Sequence, residues 1–171
     1  MTFTNDQLDT TDLPRFEDVI FKPLHPDYKK VLMINSLIFI LVLIIIIAIG
    51  YAFIEDFGTE GWIGATFLAG VLFTFIIFSF IALRKKGYAF REHDVIFRSG
   101  IISTHTAIIP YNRVQHVAVH EGALPRLFNL AEVQIFTAGG GTSDIGIPGI
   151  KKEEAENIKQ LLMGKIQKQL S

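Results

Sequence analysis

The sequence predicts an α+β membrane protein, in which a hairpin of two transmembrane helices precedes an antiparallel β-sandwich or barrel with a C-terminal helix. Three observations predict this class. Two long uncharged apolar runs occupy residues 31–53 and 62–83, short alternating runs follow from Gly87, and an amphipathic pattern ends the chain. Half of the 171 residues are hydrophobic and only 19% are charged, a balance typical of chains that enter a bilayer.

Both apolar runs are long enough to cross a bilayer, because an α-helix needs about 20 residues to span the hydrocarbon core. A cleavable signal peptide fits the first run poorly, since the run is longer than a usual signal core and no small-residue cleavage pattern follows it. A core helix of a soluble protein would be shorter and would show a polar face. We therefore predict transmembrane helices over 31–53 and 62–83, joined by an extracytoplasmic loop over 54–61.

The charges around these runs predict their orientation. The loop carries Glu55, Asp56 and Glu60 but no Lys or Arg. Basic residues near the ends of a span stay on the cytoplasmic side, so we expect both termini in the cytoplasm and the chain in the cytoplasmic membrane. We also expect the basic side chains that flank the outer ends of the runs to contact the membrane surface: Lys29, Lys30, Arg84, Lys85 and Lys86.

Two segments precede the first run. Residues 1–20 are rich in acidic and polar residues and offer little to bury, so we expect them to be disordered. Residues 21–30 form a membrane-approach segment that Pro23 and Pro26 keep extended. Its apolar side chains, Phe21, Leu24 and Tyr28, are expected to rest either on the lipid headgroups or on the soluble domain.

The soluble domain is predicted over 87–170. The runs GYAFRE and VIFRSG flank a turn and predict a β-hairpin. The runs GIISTHTAIIP, NRVQHVAVHE, AEVQIFTAG and TSDIGIPG predict the remaining strands of a set of six or seven. The last segment predicts an amphipathic helix whose apolar stripe contains Ala155, Ile158, Leu161, Leu162 and Ile166.

A set of short motifs in this domain resembles a known bacterial family. The segments GYAF, DVIFRSG, IPYNRVQ, GALPRLFNL and VQIFTAG resemble the signature of bacterial pleckstrin-homology-like (PH-like) domains of the bPH2 type in YdbS-like membrane proteins. The resemblance covers about residues 22–168 and implies a PH-like barrel with a C-terminal helix. The family more often has Gly where Asn129 stands, and Asn is the next best residue for a positive φ. The resemblance supplies no catalytic residue. The matching positions are Tyr88, Arg98, Gly100, Pro110, Arg113, Gln115, Gly122, Arg126, Leu130 and Thr137 to Gly139.

No pattern in the chain indicates catalysis, a metal or a cofactor. The Gly139–Gly141 run lacks the Lys that follows the glycines of a phosphate-binding loop, so a hairpin turn is favoured over a phosphate cradle. His116 and His120 would lie about 13 Å apart on a strand, too far for one metal. The chain has no cysteine, which excludes a Cys-based zinc site and a thiol nucleophile.

The favoured function is a non-enzymatic, membrane-tethered adaptor that offers a sheet edge or barrel mouth to another protein at the cytoplasmic leaflet. Its expected partners are the lipid bilayer and another membrane protein, either one with the same type of domain or a second copy. The net charge of −1 excludes a broadly basic nucleic-acid binder. Arg91, Arg98, Arg113 and Arg126 are the candidate ligand or partner contacts. The alternatives are a lipid-headgroup sensor that uses Lys85, Lys86, Arg91 and Arg98 and, more distantly, an enzyme acting on lipid-linked substrates.

Overall fold

Two long helices dominate the N-terminal half of the protein, whose computed structural model describes residues 18–54, 57–138 and 145–170. Helix α1 spans Tyr28–Phe53 and helix α2 spans Thr59–Lys85; we call the pair the helical hairpin. Each is about 40 Å long at 1.5 Å per residue, and both are long and apolar enough to cross a membrane. The most apolar stretch of each helix is almost entirely unburied, with 0% of it buried in α1 and 6% in α2. Neither helix is therefore a core helix of the domain that follows.

That domain consists of two antiparallel sheets and a C-terminal helix, as the sequence predicts. The first sheet has the strand order β1-β2-β3-β4 and the second has the order β5-β6-β7. A single 3₁₀ turn joins the two sheets at Tyr111–Arg113. The elements are β1 (Lys22–Pro23), β2 (Gly87–Phe90), β3 (Asp94–Ser99), β4 (His105–Pro110), β5 (Val114–His120), α3 (Ala123–Arg126), β6 (Leu130–Thr137), β7 (Ile145–Lys151) and α4 (Lys152–Leu170).

The core lies between the sheets and under α4. Alternate residues of the strands fill it, and Val95, Val133 and Ile135 are fully buried. The apolar stripe of α4 closes it through Ala155, Ile158 and Leu162, but Leu161 is 49% exposed, so the stripe is narrower than the sequence predicts. The acidic residues Glu55 and Asp56, the segment 1–17 that includes most of the predicted disordered region, and the Gly139–Gly141 run lie outside the described residues.

The N-terminal approach segment is part of this domain. Strand β1 pairs with β2 through Lys22↔Tyr88 and Pro23↔Gly87. Leu24, which follows β1, is buried in the core, and the His25 backbone N–H donates to the Gly149 carbonyl at 2.8 Å. The domain is therefore assembled from chain segments on both sides of the helical hairpin.

Tyr28, the first residue of α1, also packs against the domain. It rests on Gly149, whose φ is +66°, and a Cβ at that position would lie 2.8 Å from the Tyr28 ring. A larger residue would therefore meet both a backbone penalty and a steric one. Asn129 has a φ of 54°, which agrees with the preference of Asn for that conformation.

The sheets have a proximal end, next to the helical hairpin, and a distal end. Strand β2 begins two residues after α2, so its start and the partner end of β3 at Ser99 are proximal. The Lys85 ammonium at the end of α2 donates to the Ile101 carbonyl at 2.9 Å, which places the β3–β4 loop at the same end. The β2–β3 turn is distal, and there Lys165 near the end of α4 donates to the Glu92 carbonyl at 3.1 Å.

The burial of Leu24 yields a stability prediction. Leu24→Ala should lower the free energy of unfolding by about 2 to 4 kcal/mol, because it removes a buried side chain and leaves a cavity. Ile20→Ala, just before this segment and 94% exposed, is the matched control and should leave stability unchanged. Denaturation of the full-length protein in detergent micelles measures both. Equal stability of the two variants would contradict the assignment of Leu24 to the core.

Candidate functional site

A groove with a basic rim lies at the base of the helical hairpin. Lys29, Arg84 and Lys85 line it together with an apolar wall from α2 that includes Ile77 and Phe80, and its volume is ≈ 480 Å³. Three of the five predicted membrane-surface residues therefore meet at one place. Cations above an apolar wall match the chemistry of a phospholipid, with the phosphate next to the cations and the acyl chain along the wall.

The other two predicted membrane-surface residues, Lys30 and Lys86, do not line this groove. The Lys30 ammonium lies 2.6 Å from the Asp27 carboxylate, and this hydrogen bond lowers the pKa of Asp27. It also lies 5.9 Å from the centre of the Phe128 ring, which joins α1 to the turn after α3. The backbone N–H of Lys86, at the end of α2, donates to the Leu83 carbonyl at 3.3 Å.

The candidate arginines Arg91 and Arg98 lie at opposite ends of the first sheet. Arg98 pairs with Gly87 and is proximal. Its guanidinium carbon lies 4.1 Å from the centre of the Phe21 ring, and its Nε is buried without a hydrogen-bond partner among the described residues. Arg91 lies about 16 Å from Lys86 along β2, at about 3.3 Å per residue. The structure therefore brings Arg98, but not Arg91, to the basic hairpin base.

Arg91 is engaged in an ion pair within the distal turn. Its Nε and Nη2 donate to the two Asp94 carboxylate oxygens at 2.6 and 2.5 Å, and this bidentate bond raises the pKa of Arg91. The buried Tyr111 hydroxyl donates to the Arg91 carbonyl at 2.7 Å. These bonds fasten the β2–β3 turn to the segment that joins the two sheets.

Arg113 and Arg126 do not form one site. Arg113 directly precedes β5, whereas Arg126 follows the other end of β5 in α3, so about 20 Å of strand separates them. Arg126 is exposed and proximal, on the helix that contacts α1. Arg113 is exposed and lines a second groove, which runs beside β4.

This second groove follows the free edge of a strand. All six residues of β4 line it together with Arg113 and Thr137, and its volume is ≈ 540 Å³. Strand β4 is the last strand of its sheet; β3 pairs with one side of it, and no strand of the described chain pairs with the other. Ile108 is 41% exposed there. An open strand edge beside a groove is suited to an extended peptide, which adds as a further strand.

The two histidines of β5 make no joint site. His116 stacks on Phe136 of the neighbouring strand β6, with ring centroids 4.0 Å apart. The His116 ring therefore packs against the outer face of the second sheet. Within residues 18–54, 57–138 and 145–170, no three His, Asp or Glu side chains gather into a metal-binding group.

Comparison with known proteins agrees with the PH-like architecture. A family model described as a bacterial PH domain matches residues 30–166. The UPF0699 transmembrane protein YdbS of Bacillus subtilis (strain 168) is 32% identical over 138 residues, which cover 78% of this chain and 85% of that protein. The UPF0699 transmembrane protein YdbT of the same strain is 32% identical over 98 residues, covering 56% of this chain and 20% of that protein. No solved structure matches the chain significantly.

The chain is therefore a membrane-associated protein with a PH-like domain, and it belongs to the bacterial PH domain family. Within that family it is YdbS-like, as its motifs indicate. The family is not known as an enzyme family.

Sequence reasoning did not find the two features that shape these surfaces. Strand β1 is only two residues long and contains a proline, so no alternation marks it. The open edge of β4 depends on strand order, which the alternation of a single strand does not encode. The positions of the four arginines likewise follow from register, because one sheet places Arg91 and Arg98 at opposite ends.

The Tyr111 hydroxyl gives a pH prediction. Burial raises the pKa of Tyr111 to about 12, above its usual value near 10. A raised pKa means that the folded state favours the protonated phenol, so this contribution to stability is complete below about pH 10 and is lost as the pH rises towards 12. Tyr111→Phe should cost about 1 kcal/mol at pH 7, and its stability difference from the unsubstituted protein should shrink above pH 10.

Urea denaturation of both proteins across this range measures the difference. A gap that stays constant up to pH 12 would contradict a hydrogen-bonded, neutral Tyr111.

Proposed function

We propose that the protein is a non-enzymatic adaptor that crosses the cytoplasmic membrane twice, with both termini in the cytoplasm. The helical hairpin supports the two crossings, and the basic residues at its base support the orientation. At the opposite end of the hairpin, Tyr51, Phe57 and Trp62 form a ring cluster with centroids 5.7 to 6.3 Å apart. Aromatic clusters of this kind are typical of a membrane–water interface.

The rigid connection between the helical hairpin and the domain supports an adaptor whose binding surface stays at a fixed distance from the membrane. Leu83 near the end of α2 and Leu24 before α1 are both buried in the domain core, so neither connection is a flexible linker. Confinement to the membrane plane raises the effective concentration of the domain for a partner in the same membrane.

The observation that carries the proposal is the open edge of β4 with its adjacent groove. Main-chain groups along a free strand edge provide affinity for an extended peptide, and a neighbouring groove provides selectivity for its side chains. The apolar Ile108 and the cationic Arg113 on this surface favour a partner segment that carries both apolar and acidic residues.

The direction of β4 restricts the partner. The strand runs from the proximal to the distal end, so an antiparallel partner segment runs towards the membrane. Two copies in one membrane present β4 strands that run the same way, which disfavours pairing between them. The partner that fits is an extended segment directly before the transmembrane helix of another membrane protein. A relative with the same type of domain can supply this segment only from before a helix whose preceding chain is not paired within its own domain, as β1 is here.

Binding of anionic lipid is the second candidate function, and the groove lined by Lys29, Arg84 and Lys85 is the observation that favours it. If lipid binding is the function, the groove at the hairpin base binds an anionic headgroup and the β4 edge has no protein partner. The distal position of Arg91 and its ion pair with Asp94 leave only Lys85, Lys86 and Arg98 of the four predicted sensor residues near the hairpin base.

The orientation can be tested by cysteine labelling, because the chain contains no cysteine. In intact cells, a membrane-impermeant maleimide should label Thr59→Cys, at the loop end of the hairpin. It should label Leu161→Cys, exposed on α4, only after permeabilisation. The opposite pattern would overturn the proposed orientation, and labelling of both residues in intact cells would overturn the placement of the domain.

The partner can be tested with a photo-crosslinking amino acid at Thr106 or Ile108 of β4, with Leu161 on α4 as the control position. The crosslinks should map to a segment that ends within about ten residues of a transmembrane helix, the length of a strand. Because the pairing is antiparallel, Ile108 should reach a residue about two positions N-terminal to the one that Thr106 reaches.

A charge at the edge provides the matched perturbation. Ile108→Lys should lower the yield of the Thr106 crosslink roughly tenfold, because lysine on a strand edge opposes strand addition. Leu161→Lys should leave that yield unchanged. Two results would count against strand addition at β4. One is an equal crosslink yield from Leu161; the other is a residue reached from Ile108 that lies C-terminal, rather than N-terminal, to the one reached from Thr106.

A further inference from the structure

Two proximal turns each present an aliphatic side chain to solvent. Ile102, in the turn between β3 and β4, is 92% exposed, and Leu127, in the turn after α3, is 74% exposed. Few large aliphatic side chains of the described domain are as exposed as these two. Exposed apolar side chains of this size, next to basic residues, indicate an interaction surface.

The turn that carries Ile102 is fixed to the end of α2. The Lys85 ammonium donates to the carbonyl of Ile101, the neighbouring residue, at 2.9 Å. The turn starts at Gly100, whose φ is +118°, and a Cβ there would collide with the Ser103 carbonyl oxygen. The positive φ of Gly100 and the hydrogen bond from Lys85 therefore hold the backbone of this turn in place.

The turn that carries Leu127 is fixed to the start of α1. Phe128 lies beside the Lys30 ammonium, and the Phe128 backbone N–H donates to the Pro125 carbonyl at 3.0 Å. The Asn129 carbonyl accepts from the Lys152 N–H at 2.9 Å, which joins the turn to the start of α4. The two exposed aliphatic residues therefore flank the helical hairpin, one beside each helix.

The level of the domain relative to the helices places both turns at the lipid surface. Leu32 and Leu83 belong to the uncharged runs of α1 and α2, and both pack against the domain core. Val31, at the first position of the first run, is only 4% exposed. The domain therefore reaches the level at which the apolar runs begin, and with a membrane-spanning hairpin the turns held at the helix ends would lie at the level of the lipid headgroups.

We propose that Ile102 and Leu127 insert into the inner leaflet as a pair of apolar anchors, one on each side of the helical hairpin. Lys85 beside the first anchor and Arg126 beside the second supply the cations that anionic headgroups attract. An apolar side chain with adjacent basic residues is the pattern of segments that lie in a membrane interface. Together with the two helices, the anchors fix the tilt and rotation of the domain. This inference rests on the membrane-spanning hairpin of the proposed function.

Single-cysteine variants in the otherwise cysteine-free chain test the insertion. Ile102→Cys and Leu127→Cys are labelled with an environment-sensitive fluorophore, and the full-length protein is reconstituted in vesicles of anionic lipid with brominated acyl chains. Leu161→Cys, an exposed position on α4, is the aqueous control, and Val42→Cys, in the middle of α1, is the control inside the bilayer. Quenching at 102 and 127 should exceed quenching at 161 by at least about threefold, because it requires contact with acyl chains.

The controls separate this inference from the proposal on which it rests. Quenching at 42 with aqueous behaviour at 102 and 127 would overturn the anchors and leave the membrane-spanning hairpin in place. Quenching at only one of the two turns would overturn the paired arrangement. Aqueous behaviour at 42 would overturn both the hairpin and the anchors. The exposed side chains at 102, 127 and 161 contribute little to the core, so the three variants should fold alike.

Discussion

The rest of the structure depends on the pairing of β1 with β2. These strands stand on either side of the helical hairpin in the sequence, yet Lys22 lies opposite Tyr88 and Pro23 opposite Gly87. The Glu154 carboxylate of α4 joins both strands, since it accepts from the Lys22 ammonium at 2.5 Å and from the Tyr88 hydroxyl at 3.0 Å. The start of α1 and the end of α2 are therefore held side by side, and the domain cannot rotate independently of the helices.

Much of this architecture could be predicted from local sequence patterns. The uncharged runs indicate the two long helices, alternation marks the strands from β2 to β7, and the identity of Asn129 anticipates its positive φ. Strand β1 could not be found in this way, because Lys22 and Pro23 carry no periodic signal and their partners come after both helices. Their basic character made Arg91 and Arg98 candidates in the sequence. Only the antiparallel register shows that Arg98 lies next to the hairpin and Arg91 in the distal turn.

The proximal and distal ends of the domain use charge differently. At the distal end, Arg91 and Asp94 satisfy each other and support Tyr111 within the fold. The proximal end also has ion pairs, such as Lys30 with Asp27, but there Lys29, Arg84 and Lys85 additionally line a groove with an apolar wall. Strand β4 connects the two ends, and no strand of the described chain pairs with its second edge. A free edge carries a risk of unwanted pairing, which the common strand direction of copies in one membrane would reduce under the proposed topology.

The insertion of two helices between neighbouring strands also imposes an order on biosynthesis. A ribosome releases Lys22 to Leu24 first, but their partners in β2 emerge only after the complete hairpin. Since domains fold as units while the chain grows, the domain cannot close until both helices have been synthesised, and its first strand stays unpaired until then. If the hairpin crosses the membrane as proposed, late entry of the helices into the bilayer would also delay the assembly of the sheets.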